Sequence, residues 1–395
     1  MRILCIDVGT GTQDILLFDS TQEIENCLQL VMPSPTRIVE RKVRQATLDR
    51  TTLVLTGVTM GGGPGHWAVE DHMRAGLPVF ATPSAARTFD DDLERVEAMG
   101  VRVVSEAEAS AINAQPGTEG VCRITMGDVY LEAVDLALGG FSEPAEYDAI
   151  AIAVFDHGAA PPGYSDRRFR FDYISQQMEK WGDQPIERAL AAFAAPSAEV
   201  HPDLTRLLAV RETVEAGQYA NLPLLLMDTG PAALLGALGD PLVRDAAGGN
   251  ALFANVGNFH TLAFHIVEGR IRALFEHHTG LIDGPELVRL LERLASGQLT
   301  NGEIFSSSGH GALTLPGASP SGAGTPTLCA VTGPRRGLLN GLATPWTVYM
   351  AVPHGDMMLS GCYGLLRAFA AHFPQSAGDI LPRLEVAATA TVEEP

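Results

Sequence analysis

The chain opens on an apolar run at positions 3–6, ends it with Asp7, turns through 8–12 and resumes the apolar pattern at 14–18. Two short apolar runs around a glycine-containing turn predict a β-hairpin, and residues 27–31 supply a third strand after a second turn at 19–22. Residues 52–57 read as a further strand, leading into the glycine-rich stretch 60–65 and a helix over 67–75. Short strands at 77–81 and 101–104 flank an acidic helix over 89–98. Strand, helix and strand in alternation is the grammar of an α/β layer.

Positions 149–155, AIAIAVF, are apolar throughout, as expected of a central strand covered on both faces. The run ends at Asp156-His157-Gly158, before a Pro/Gly-rich turn at 159–164 and the basic residues Arg167, Arg168 and Arg170. Residues 173–220 read as mainly helical, and the run 222–227 opens a second half. That half repeats the plan of the first: strand 251–255, turn 256–259, strand 260–267, a Glu268-Gly269 turn and a return strand 270–275. A helix over 281–294, strands at 328–331 and 348–352, and a helix over 356–373 follow. Composition marks 316–326 (PGASPSGAGTP) as a surface loop and 387–395 as a frayed tail. The shared opening of the two halves suggests duplication.

Composition narrows the function. With 47 acidic against 27 basic residues the formal charge is −20, and a diffuse acidic surface disfavours nucleic acid as a partner. The start lacks the continuous apolar stretch of a signal peptide, and no run approaches the roughly 18 apolar residues of a membrane span. A cytoplasmic protein without a membrane partner is the expectation. Cys5, Cys27, Cys122, Cys329 and Cys362 are scattered, with no CxxC or CxxxCxxC spacing, and read as buried reduced thiols.

Five segments carry the candidate chemistry: LCIDVGTGT at 4–12, DTGPAALLG at 228–236, FANVGN at 253–258, LCAVTGP at 328–334 and PHGDMMLSGCYG at 353–364. In this order they resemble the motif set of the actin, Hsp70 and sugar-kinase superfamily. That set comprises a first phosphate motif, a first connecting helix, a second phosphate motif, an adenosine motif and a second connecting helix. The resemblance spans nearly the whole chain. It implies an α/β fold of two actin-like, ribonuclease H-like domains, at 1–225 (with insertions) and 226–386, flanking a cleft for ATP and Mg²⁺. The chain also resembles an uncharacterised prokaryotic family sometimes labelled as related to pyruvate formate-lyase activation. That label implies radical chemistry on an iron–sulfur cluster, which the missing CxxxCxxC contradicts.

A triphosphate needs backbone N–H donors at close range, with no side chain in the way. On the resemblance, Gly9 and Gly11 let the first turn approach the phosphates, the Thr10 and Thr12 hydroxyls add donors, and Gly257 with Asn258 does the same from the second domain. Asp7, ending a buried strand, can hold a Mg²⁺-bound water or orient the nucleophile. Asp228 is read as its counterpart, a general base or metal-water ligand, or else as the cap of the first connecting helix. Asn255 stands where relatives usually carry aspartate, and an amide adds no charge and cannot act as a base. On the resemblance, Thr332, Gly333 and Pro334, standing in place of a glycine pair, would lie under adenosine, with Arg335 or Arg336 stacking on the base, meeting phosphate or left in solvent. Small residues in the two connecting helices suit a close, sliding crossing.

For the second substrate, Asp156 and His157 follow a buried strand, where α/β sheets commonly place ligand groups. Arg167, Arg168 and Arg170 can bind an anionic group. Asp90, Asp91 and Asp92 suit a helix start. The 60–65 loop can be an extra phosphate or substrate loop, although it lacks the Lys-Ser/Thr ending of a P-loop. Glu276-His277-His278 raises a transition metal, but adjacent histidines on a strand point to opposite faces, so the two do not share one ion. The expected function is an ATP-dependent phosphotransferase or ATPase acting on a small molecule, with Asp7, Asp228, Asp156 and His157 as its catalytic set. The alternatives are an ATP-driven switch acting on a partner protein, and a non-catalytic nucleotide- or metabolite-binding protein.

Overall fold

The computed structural model describes residues 1–315 and 324–385, so the expected tail at 387–395 and most of the expected loop at 316–326 lie outside the described residues. Strands β1 (Arg2–Val8), β2 (Thr12–Asp19) and β3 (Leu28–Pro33) form an antiparallel meander. On its other edge β1 pairs in parallel with β8 (Ala149–Val154), which pairs in parallel with β10 (Leu224–Asp228). A short antiparallel β9 (Ala194–Pro196) completes the order β3-β2-β1-β8-β10-β9. Both faces of this sheet are covered. Ile3, Cys5 and Ala151 pack on one side and Leu4, Ile6 and Ile152 on the other, which is why these strands are continuous apolar runs.

The second sheet repeats the first. Strands β11 (Asn250–Val256), β12 (His260–Val267) and β13 (Arg270–His278) form the meander, and β15 (Leu328–Thr332) and β16 (Thr347–Met350) the parallel strands. With the edge strand β14 (Gly311–Thr314) the order is β14-β13-β12-β11-β15-β16. A three-strand meander continued by two parallel strands, present twice, is the actin-like, ribonuclease H-like plan. The fold expected from the motifs is therefore the fold observed. One expectation is corrected: the run 222–227 does not open the second half. It is β10, in parallel register with β8 from Leu224↔Ile150 to Asp228↔Val154, and buried as the last parallel strand of the first sheet.

Between β3 and β8 sits an inserted unit with its own small parallel sheet. Its strands are β4 (Thr52–Gly57), β5 (Val79–Ala81), β6 (Arg102–Val103) and β7 (Val121–Met126), in the order β6-β5-β4-β7. Helices Pro35–Leu48 and Pro64–Arg74 cover it through Val39, Val43, Ala68 and Val69. Asp92 caps the helix Leu93–Met99 by accepting the N–H of Glu94 at 3.0 Å, so the acidic triplet is a helix start as expected.

The lobes are joined by two crossing helices, Thr229–Ala237 and Ser360–His372. A Cβ placed on Gly236 would overlap the carbonyl of Ser360, and one on Gly364 would overlap the carbonyl of Ala232. The backbones touch here, so the small residues of both motifs are a geometric requirement. Among the described residues, no helix is long and apolar enough to cross a membrane.

Candidate functional site

The two hairpin turns are built alike. In the first, Gly9 N–H donates to the carbonyl of Thr12 at 2.9 Å, and in the second Gly257 N–H donates to that of His260 at 2.9 Å. These amides close the turns, so what Gly9 and Gly257 offer the cleft is the lack of a side chain. The turns face one another: a Cβ on Gly11 would meet Asn258 Nδ2 at 3.0 Å. Between the lobes lies a cleft of about 1180 Å³, lined by Thr10, Gly11, Thr12, Asn255 and Asn258 among others. Thr332, Gly333 and Pro334 form part of another wall. Gly333 has φ +94°, and a side chain there would collide with Val256 and Asn255, so glycine is needed for β15 to turn so close to the second hairpin.

Hairpin register brings out a residue the motif reading passed over. Asp7 lies opposite Asp14 across β1 and β2, and both line the cleft at 8% and 7% exposure. Thr229 Oγ1 donates to Asp7 Oδ1 at 2.5 Å, and a Cβ on Gly361 would overlap the same carboxylate, so both connecting helices meet at Asp7. One oxygen of Asp14 is buried with no hydrogen-bond partner. Burial raises Asp7 to about 7, opposed by the Thr229 hydrogen bond and helped by the charge of Asp228. Burial raises Asp14 to about 8, with the charge of Asp7 adding to it. The equivalent pair in the second lobe is Asn255 opposite Leu262, so the second hairpin turn brings no carboxylate to the floor; Glu276, which lines the cleft from β13, is paired with Arg170. The signal for Asp14 was present: it is the last polar residue of β2 before the apolar run, and the turn length sets it across from Asp7.

Three expected site residues have other employment. Asp228 is buried outside the lining; it accepts the N–H of Gly230 at 3.1 Å, capping its helix, and pairs with the Arg170 guanidinium. Its oxygens are committed, which corrects the expectation of a base or metal ligand in favour of the cap. Asp156 accepts the N–H of Gly158 at 2.8 Å and of Leu207 at 2.9 Å, one on each oxygen, so it shapes a loop and is not poised as a catalyst. Arg170 is 1% exposed, bonded to Glu276 at 2.9 and 3.2 Å and to the carbonyl of Asp156 at 3.0 Å. It ties the lobes together and is not free to bind a substrate anion.

Arg167 reaches the cleft, but its Nη1 donates to the carbonyls of Phe305 and Gly309 at 3.2 and 2.6 Å, and its guanidinium lies over Phe305. Arg168 lies over the same ring. His157 does line the cleft, against Phe155 and a group of other histidines.

The inserted unit closes the remaining side. Its glycine loop lines the cleft at Gly61–Gly63, with Gly63 against Phe259 and Thr10 and with Trp67 edge-on to Phe259 at 5.6 Å. Asp128 anchors the loop by accepting the N–H of Gly61 at 3.2 Å while paired with Arg206 at 2.6 Å.

A family model described as "Putative pyruvate format-lyase activating enzyme (DUF1786)" matches residues 60–338. No curated protein matches the chain. Among solved structures it is similar to a ROK family protein from Streptococcus pneumoniae TIGR4 in complex with sucrose, at 10% identity and a TM-score of 0.33, covering 95% of this chain and 100% of that one. It is similar to a ROK hexokinase from Thermus thermophilus at 13% identity and TM-score 0.29, covering 93% and 97%. It is also similar to the ethanolamine utilization protein EutJ from Carboxydothermus hydrogenoformans at 12% identity and TM-score 0.29, covering 92% and 89%. The two-lobed fold is carried by the strand order and register above, not by these likenesses.

Proposed function

The chain belongs to the DUF1786 family, and from its cleft we propose an ATP-dependent phosphotransferase or ATPase acting on a small molecule held between the two lobes. The observation that carries this reading is the pair of equivalent glycine turns facing each other above two buried carboxylates, one of which has an unpartnered oxygen. Thr10, Gly11, Thr12 and Asn258 would bind phosphates, and Gly333 would lie under adenosine. Buried carboxylates held this close fit a hard, oxygen-seeking cation, and Asp7 and Asp14 would hold Mg²⁺ directly or through its waters. When bound, Mg²⁺ supplies charge neutralisation at the phosphates.

Asp7, held at the cleft floor by the Thr229 hydroxyl, is placed to take a proton from an attacking hydroxyl. The glycine loop at Gly61–Gly63 would exclude water over the phosphates. The acceptor end favours a neutral polyhydroxyl or cationic molecule over an anionic one. Asp90, Asp91 and Asp166 line it, and the nearby Arg95 already faces Asp90 and Asp92 at 3.5 and 3.7 Å. Iron–sulfur radical chemistry, which the family's description suggests, lacks a donor set. The cysteines are separate free thiols, and among the described residues none joins a group able to hold a metal.

The glycine-to-backbone crossing of the connecting helices favours a second reading, in which hydrolysis drives lobe movement that a partner protein senses. Titration calorimetry with Mg·ATP, and turnover with a panel of polyols and amines, tests both on wild type and Asp7→Asn. The expected result is binding in both proteins, with acceptor-stimulated turnover reduced at least about 100-fold in the variant. Slow turnover that ignores every acceptor supports the switch. Absence of nucleotide binding by the wild type refutes both.

A further inference from the structure

The histidines come from four separate places and meet at one. His157 follows β8 in the first lobe, His260 opens β12, His278 ends β13, and His310 precedes β14. His260 and His278 are register partners on adjacent strands, with ring centres 5.0 Å apart. His310 lies 4.6 Å from His278 and 5.1 Å from His260, and it stacks with His157 at 5.6 Å. Ring nitrogens of His157, His260 and His310, one from each, all lie within 4.8 Å of one another.

Unpartnered ring nitrogens also occur at His72, His265 and His354; what sets this group apart is that three rings converge. Nε2 of His260 and both nitrogens of His310 are buried with no hydrogen-bond partner. Unpaired buried nitrogens in a group, with one nitrogen from each of three rings lying close to the others, call for a ligand that accepts several lone pairs together. We propose that His157, His260 and His310 form a binding site for one divalent transition-metal ion of the Zn²⁺ type, bridging the two lobes at the wall of the cleft.

Donor chemistry selects the class, because imidazole nitrogen suits Zn²⁺ and its first-row neighbours and not Mg²⁺ or Ca²⁺. A tetrahedral ion with bonds of about 2.0–2.1 Å sets its ligand nitrogens about 3.4 Å apart, so the ion draws the rings together by an ångström or so through small side-chain rotations. His310 Nδ1 lies 3.8 Å from Glu276 Oε2, leaving Nε2 for the ion and a carboxylate behind the ring to orient it.

The charge nearby also permits a cation, since Arg170 is matched by two carboxylates, Asp228 and Glu276. Phe155 stacks flat on His260 at 3.8 Å and 9° and fixes that ring. His157, His260 and His278 line the cleft, so the fourth coordination position faces it. This makes the ion accessible to a bound small molecule. His277, in contrast, bonds Ser307 at 3.1 Å on the other face of β13 and takes no part, as strand alternation requires.

The test uses the full chain, stripped with chelator and titrated with Zn²⁺ and with Co²⁺ by calorimetry and visible absorption. One ion per chain and a tetrahedral Co²⁺ spectrum are expected. His260→Gln and His310→Gln should each weaken binding at least about 100-fold. Exposed His201→Gln should leave it unchanged. If a histidine variant does not fold, X-ray absorption on the wild-type Zn²⁺ form decides by its count of imidazole scatterers, with three expected. Binding far below one ion per chain, an all-oxygen shell, or affinity indifferent to both histidine substitutions overturns the proposal.

Discussion

Asp14→Asn should make the nucleotide-free protein more stable at alkaline pH while weakening its grip on Mg·nucleotide. The wild-type carboxylate is raised from 3.8 to about 8 in the folded chain, first by burial and then by Asp7. A shift of about four units corresponds to at most about 6 kcal/mol. The repulsion is shared with Asp7, and an asparagine still buries a polar amide, so about 2–3 kcal/mol is expected. The sign follows from proton counting. Between pH 4 and 8 the folded state holds a proton that the unfolded state has released, so this group's contribution to stability declines as pH rises through that window.

Thermal unfolding from pH 5 to 9 without nucleotide reads the effect directly. The wild-type midpoint should fall with rising pH, and the variant should fall less, ending roughly 2–4 °C above it at pH 8.5. Adding Mg²⁺ and ADP should then raise the wild-type midpoint most at alkaline pH, where both carboxylates are ionised, and raise the variant's little. Equal pH slopes in the two proteins, together with equal Mg·nucleotide affinity, would refute the claim that Asp14 is a strained carboxylate kept for a cation.

Two further substitutions probe how the lobes are joined. Gly364→Ala should lose more than about 2 kcal/mol in chemical denaturation, because its new methyl meets the Ala232 backbone and the overlap outweighs the roughly 1 kcal/mol gain in helix propensity. A stabilised variant would mean the helices do not touch there. Arg170→Met should cost about 3–5 kcal/mol by stranding Asp228 and Glu276, and much of that loss should return in the triple variant with Asp228→Asn and Glu276→Gln; equal loss in both would remove Arg170 as the partner of those charges.

What the sequence made legible was whatever a local pattern must express. The AIAIAV of β8 has the length and the β-branched, all-apolar content of a strand buried on both faces, and the two hairpins announce themselves through a glycine turn between apolar runs. The run 222–227 was equally legible as a buried strand, but an apolar run does not say which sheet receives it, and parallel register with β8 decided that. Asp156 and Asp228 end strands just as Asp7 does. Only tertiary structure reveals that a helix start at 205–207 takes up the first, while Gly230 and Arg170 take up the second. Arg170 was partly legible after all, since on the helix Asp166–Trp181 it shares the buried face with Phe171, Ile174 and Met178, where a solvated basic residue does not belong. Duplication gives the sharpest instrument. Aligning the two hairpins sets Asp7 and Asp14 against Asn255 and Leu262, so only the first hairpin offers a cation a pair of carboxylates not already matched by an arginine, as Glu276 is by Arg170. The second lobe answers with His260 and His310, and the one histidine the first lobe sends to meet them, His157, is the residue through which a metal on that side would sense whether the lobes are closed.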